Sequence, residues 1–147
     1  MNLNPNFKEF VRLLNEHGVE YIIVGGYAVV LHGYLRATGD MDIWIRPSPQ
    51  NAERVVRTVE DFGFGSVGLK AEVFQKEDVI VQLGHPPLRI DLITAADGLL
   101  FDACYPKRAV AEVEAGLKAN FIDLKSLKTN KLAVGRPKDL DDLENLK

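Results

Sequence analysis

One cysteine, Cys104, in 147 residues rules out an internal disulfide and a zinc site built on several cysteines. A long apolar run is also missing. The longest uncharged stretch, Tyr21 to Leu35, is broken by Gly25, Gly26 and Gly33 and is shorter than the roughly 20 residues a bilayer-spanning helix needs. At the N-terminus, MNLNPNFKEF has no basic segment leading into an apolar one. Together these absences predict a cytoplasmic protein that is neither exported nor embedded in a membrane. Excess charge of one sign is lacking too: 18 Lys+Arg against 21 Asp+Glu leave a net charge of -3, which excludes a surface built as a whole to grip long DNA or an anionic membrane. No G-x-G-x-x-G spacing follows a strand, no serine sits in a nucleophile elbow, and His17, His32 and His85 lack metal-ligand spacing.

What is present suits one globular domain over residues 1–147. Apolar residues make up 46% and charged residues 27%, so a core can form and a disordered or coiled-coil chain is excluded. Phe7, Phe10, Val11 and Leu14 recur at helical spacing over residues 5–17. The unbroken run Tyr21-Ile22-Ile23-Val24 predicts a strand buried on both faces, and Gly25-Gly26 turns it into a second helix reaching to Leu35. Met41, Ile43 and Ile45 alternate with Asp40, Asp42 and Trp44 as in a strand. Ser48-Pro49 opens a helix that runs to Asp61, and Gly63, Gly65 and Gly68 mark a loop. Strands over 79–83 and 88–93 form one hairpin through Gly84-His85-Pro86-Pro87, and residues 108–122 form another about Ala115-Gly116. Two helices parted by Gly135-Arg136-Pro137 end the chain. The expected fold is α/β (α+β): a small mixed β-sheet flanked by helices, with two C-terminal helices.

The acids carry the chemistry. Asp40 and Asp42, two apart in a strand, project from one face while Met41, Ile43 and Ile45 face the core. Such a pair is tolerated at a solvated strand end or where divalent cations such as Mg²⁺ bridge it. Asp91 sits mid-strand between Ile90 and Leu92, where a buried carboxylate needs a partner: a cluster with Asp40 and Asp42, or an ion pair with Arg89. Gly25-Gly26 at a helix start leaves backbone N–H groups open toward an anion, or marks only a tight turn. Lys131 falls on the apolar stripe set by Leu124 and Leu127, and Asp139 and Asp142 share a face on which they pair with Lys131 or Arg136. Trp44 shares the strand face of the aspartates.

Taken in order, Val24-Gly25-Gly26-Tyr27-Ala28-Val29, Arg36-Ala37-Thr38-Gly39-Asp40-Met41-Asp42, Arg89-Ile90-Asp91-Leu92 and Lys131 through Asp139 resemble the nucleotidyltransferase superfamily with the DNA polymerase β-type fold. Small bacterial members related to the abortive-infection and toxin nucleotidyltransferases are the nearest in pattern, over about residues 18 to 146. The resemblance implies that Asp40 and Asp42 hold two Mg²⁺ ions, that Asp91 completes the site, and that Gly25 and Gly26 cradle the phosphates of an NTP. It also favours contact of Lys131 with the triphosphate, and Arg36 and Thr38 stand where they can touch phosphate or sugar.

The expected activity is Mg²⁺-dependent transfer of a nucleoside monophosphate from an NTP to an acceptor hydroxyl, with pyrophosphate leaving. Small molecules, proteins and RNA ends all remain open as acceptors. Between Lys107 and Lys138 eight bases stand against three acids, a local excess that could steer a tRNA end or simply be spread over solvated helices. A chain this short leaves little room for an acceptor domain, so a homodimer or partner protein is expected to complete the cleft. The competing expectation is a non-catalytic nucleotide- or partner-binding module, such as the antitoxin-like half of a toxin-antitoxin pair.

Overall fold

The structure is a computed structural model that describes residues 1, 3–64, 68–85 and 88–147. Its elements follow in the order α1 (Pro5–Glu16), β1 (Tyr21–Val24), α2 (Gly25–Leu31), β2 (Met41–Ile45), α3 (Pro49–Val59), β3 (Ile80–His85), β4 (Leu88–Ile93), α4 (Phe101–Cys104), β5 (Ala109–Glu114), β6 (Leu117–Phe121), α5 (Leu124–Val134) and α6 (Pro137–Asn145). Local chemistry explains most of the boundaries. The Asn4 side chain accepts from Asn6 N at 2.8 Å, Ser48 accepts from Asn51 N at 3.3 Å, and Asp123 accepts from Ser126 N at 3.2 Å, each satisfying an otherwise unpaired donor at a helix start.

Six strands form one mixed sheet in the order β3-β4-β2-β1-β6-β5. β1 runs antiparallel to β2 and parallel to β6, while β2 runs parallel to β4. The β3–β4 hairpin reverses the chain so that β4 returns alongside β2, and that register sets Asp42 opposite Asp91. Every residue of β1 is buried, as its unbroken apolar run requires of a central strand. One core cluster joins Phe7, Phe10 and Leu14 of α1 to the strand interiors and to Ala52, Val55 and Val59 of α3. Buried Asn51 ties the two central strands at their shared end: it accepts from Glu20 N at 2.7 Å and donates to Glu20 O and Arg46 O at 3.0 and 2.9 Å.

The mixed sheet, the flanking helices and the two C-terminal helices are those expected from the sequence. Differences are local. The second helix begins at Gly25 itself and ends at Leu31, before the predicted Leu35. A 3-10 turn over Ala71–Gln75 buries Phe74, and the short α4 buries Phe101 and Cys104; neither is long enough to show a period in sequence. Gly65 of the expected loop and Pro86-Pro87 of the first hairpin lie outside the described residues. Among the described residues no helix is long and apolar enough to cross a membrane.

Candidate active site

The acids meet on the β2–β4 pair. Asp42 and Asp91 are register partners in adjacent parallel strands, so their side chains leave the same face of the sheet. Asp40 stands two residues before Asp42 at the mouth of β2. Arg89, two residues before Asp91, closes the group. Its Nη2 lies 2.6 Å from Asp40 Oδ2, and its Nε and Nη2 donate to the two Asp91 oxygens at 2.9 and 3.1 Å. Asp91 therefore forms the expected ion pair with Arg89, on a strand adjacent to the one that carries Asp42. One guanidinium pairs with two of the three carboxylates, Asp40 and Asp91. Burial pushes the Asp42 carboxyl up to about 6, Asp91 and Asp40 add to that rise, and Lys131 and Arg89 oppose it.

Gly25 and Gly26 are packed against this cluster from the start of α2. The backbone of Gly25 has φ +69°, and a Cβ there would stand 2.3 Å from Asp42 Oδ2. A Cβ on Gly26 would stand 2.1 Å from Thr38 Oγ1 and 3.4 Å from Arg36 Nη1. Any side chain at either position would fill the space beside the carboxylates or displace the segment leading into β2.

Beside them lies a buried ionic network built by α5 and α6. Lys131, only 4% exposed, places Nζ 3.1 Å from Asp139 and 3.0 Å from Asp142. Asp142 receives Arg36 in a bidentate pair at 2.8 and 2.9 Å, and Asp139 receives Arg136 Nε at 2.7 Å and Arg136 N at 3.2 Å. Burial alone would raise both carboxyls, but hydrogen bonds from Arg136 and Lys131 to Asp139, and from Arg36 and Lys131 to Asp142, outweigh it and hold both below the usual carboxylate range. The structure thus gathers Gly25, Gly26, Arg36, Thr38, Asp40, Asp42, Asp91 and Lys131 in one region. Arg36 and Lys131 face acids within the fold there. Sequence spacing had pointed to pairing of Asp139 and Asp142 with Lys131 and Arg136; the partnership of Arg36 with Asp142, 106 residues away, had no local signal.

Among the described residues no group of three or more His, Cys, Asp and Glu side chains stands arranged to hold a metal ion, and Arg89 ties Asp40 and Asp91 to itself. In donor chemistry the carboxylates fit a hard divalent cation: Arg89 pairs with Asp40 and Asp91, and among the described residues Asp42 forms no ion pair. Trp44 takes no part in the cluster. It is 1% exposed and meets Phe101 edge to face at 5.2 Å. Of the eight bases between Lys107 and Lys138, Lys131 and Arg136 are committed to acids within the fold, and Arg108 stacks over Tyr105 at 4.0 Å.

A Thermotoga maritima protein provisionally described as a nucleotidyltransferase shares the fold, with a TM-score of 0.60 at 15% identity over 94% of this chain and 88% of that one. The lincosamide antibiotic adenylyltransferase LnuA, in its lincomycin-bound form, superposes with a TM-score of 0.57 at 18% identity over 99% and 98% of the two chains. No curated protein matches the sequence. Residues 3–147 match the family described as "Nucleotidyltransferase of unknown function (DUF6036)", and the chain belongs to that family of nucleotidyltransferases.

Proposed function

We propose that the protein transfers a nucleoside monophosphate from an NTP to an acceptor hydroxyl at the Asp40, Asp42, Asp91 cluster. The observation that carries this reading is the register pairing of Asp42 with Asp91 beside a glycine that leaves no room for a side chain against Asp42. Asp40, Asp42 and Asp91 would hold Mg²⁺, two ions by analogy with the superfamily, once Arg89 withdraws. Such ions supply positive charge at the entering and leaving oxygens of an in-line displacement. The remaining work falls to this chain. Gly25 and Gly26 let the phosphates approach the start of α2, and Thr38 and Arg36 border the same space. Lys131 adds a buried positive charge that already acts on Asp42. In the reaction the acceptor oxygen bonds to the α-phosphorus and the bond from that phosphorus to the β-bridging oxygen breaks. Pyrophosphate departs with the electron pair, and the hydroxyl proton passes to Asp91 or to solvent.

The test is incubation of NTPs labelled at the α-phosphate with the protein, Mg²⁺ and separate pools of tRNA, protein extract and small hydroxylated metabolites. Label joined covalently to one pool, with pyrophosphate released, supports the reading. A second reading, a nucleotide- or partner-binding module without turnover, draws on Arg89, whose pairing with Asp40 and Asp91 closes the carboxylates to a cation. Saturable NTP binding with no label transferred to any pool would favour it.

A further inference from the structure

The sheet ends in two edges of unlike character. β5 carries exposed Glu112 and Glu114 with a register shift between them, and Glu114 is tied to Lys8 and Arg12 of α1. Acids and a bulge of this kind blunt an edge against further pairing. β3, the opposite edge, has neither. From Val79 to Gly84 it holds no charge and no proline, Ile80 is 62% exposed, and Gln82, two residues on, is exposed as well.

Thr94 N donates to Val79 O at 3.1 Å, so Val79 turns its carbonyl toward β4, and alternation along the strand turns the N–H and C=O of Ile80 and Gln82 away from it. Among the described residues no strand, turn or loop bonds to those four groups. The stretch that carries them is symmetric about its centre. Positive φ at Asp78 (55°) and Gly84 (82°) bounds residues 79–83, of which Val81 is the middle. A second β3 laid antiparallel over the same stretch sets Val81 beside Val81 and Ile80 beside Gln82, so the outward groups of each chain pair in full with those of the other. The same register brings exposed Glu77 of each chain to exposed His85 of the other, an acceptor to an imidazole that can donate to it, and brings no like charges together. Neither side chain has an ion pair within the chain among the described residues.

We infer that the outer edge of β3 is a self-association surface and that its occupant is a second copy of this chain, joined antiparallel about a twofold axis at Val81. The two six-stranded sheets then continue as one. This association does not depend on nucleotidyl transfer, but it bears on the candidate site. Gln82 is the register partner of Asp91, and the partner subunit's Ile80 lies one strand beyond Gln82, roughly 10 Å from β4 at the usual strand spacing. The sheet face that carries Asp91 is thereby widened by the partner, in a chain whose own sheet stops one strand past Asp91.

The experiment is sedimentation equilibrium of the full chain from about 5 to about 500 μM, with residue-resolved hydrogen exchange at both ends of that range. One strand pair buries little surface, so a monomer–dimer equilibrium with a micromolar Kd is the expected result. Ile80→Lys puts a charge on the edge, and Gln82→Pro removes one outward N–H while leaving the bonds to β4 in place. Each should weaken the dimer by about tenfold or more. Gln82→Ala, which keeps the N–H, should not. Exchange should slow with concentration at Ile80 and Gln82 and stay constant at Val81, whose N–H already faces β4. A monomer throughout the range, with Ile80 and Gln82 exchanging at one rate at both ends, overturns the proposal and leaves this edge to a different protein. A dimer that survives both Ile80→Lys and Gln82→Pro also overturns it, by placing the contact elsewhere. If circular dichroism shows Gln82→Pro unfolded, Ile80→Lys and the alternating exchange pattern decide the matter.

Discussion

Arg89 Nη2 lies 2.6 Å from Asp40 Oδ2, and the same guanidinium holds both oxygens of Asp91, so a single side chain neutralises two of the three neighbouring acids. Arg89→Ala is expected to lower the melting temperature in EDTA at pH 8, because Asp40, Asp42 and Asp91 then repel one another unrelieved. Adding Mg²⁺ should raise that temperature more in the variant than in the wild type, since the cation no longer competes with a guanidinium. Thermal scans with and without Mg²⁺ check this; an equal Mg²⁺ response in both proteins would count against a shared site.

Asp42 sets a pH dependence of defined sign. Its folded carboxyl titrates at about 6 against 3.8 for the ordinary group, so the native state holds that proton more tightly than the unfolded chain. Its contribution to stability is complete below 3.8 and is lost as the pH rises through about 6. Asp42→Asn should flatten the stability curve across that window and raise the melting temperature at pH 8. Turnover should fall by about 10²–10³-fold or more, in line with the loss of one preorganised electrostatic group. Urea denaturation at stepped pH, alongside pyrophosphate release, gives both readouts.

The Lys131 network predicts the opposite slope at lower pH. Asp139 and Asp142 are held below the usual carboxylate range, so their contribution is present above the ordinary carboxylate value and is lost as the pH falls through their lowered folded values. Lys131→Ala should cost about 3–5 kcal/mol, because it strips a partner from two buried acids. Lys131→Met, which refills the space, should cost less. If Lys131 also acts on the triphosphate, either variant should raise the Kd for ATP about tenfold, or 1.4 kcal/mol, with the Kd for adenosine unchanged.

At the paired glycines the two positions should respond differently. Gly26→Ala meets Thr38 Oγ1 and is expected to cost about 1–3 kcal/mol, part of which Thr38→Ala in the same chain should restore. Gly25→Ala should not be rescued by trimming Asp42 to Ala, because its φ of +69° strains any side chain whatever the space. Chemical denaturation of the four variants separates steric from conformational cost.

Residues whose environment is set by near neighbours in the chain were readable. The unbroken β1 run, the alternation around Asp40 and Asp42, the Ser48-Pro49 cap and both hairpins depend on local periods and turn chemistry. So does the placing of Asp91 opposite the core residues of its own strand. Long-range partnership was not readable: nothing near Arg36 signals Asp142, and nothing local says that Arg89 would span Asp40 as well as Asp91. The short α4 escaped for a different reason, since four residues are too few to show a period, although Phe101 there forms the wall against Trp44.

The central claim is that Asp40, Asp42 and Asp91 carry out metal-dependent nucleotidyl transfer, and [α-³²P]ATP with the acceptor pools tests it most directly. The account predicts covalent transfer of label by the wild type in Mg²⁺, abolished by EDTA and cut by at least about 10²-fold in Asp42→Asn although that variant remains folded. Label transferred equally well by Asp42→Asn, or persisting undiminished in EDTA, would contradict it.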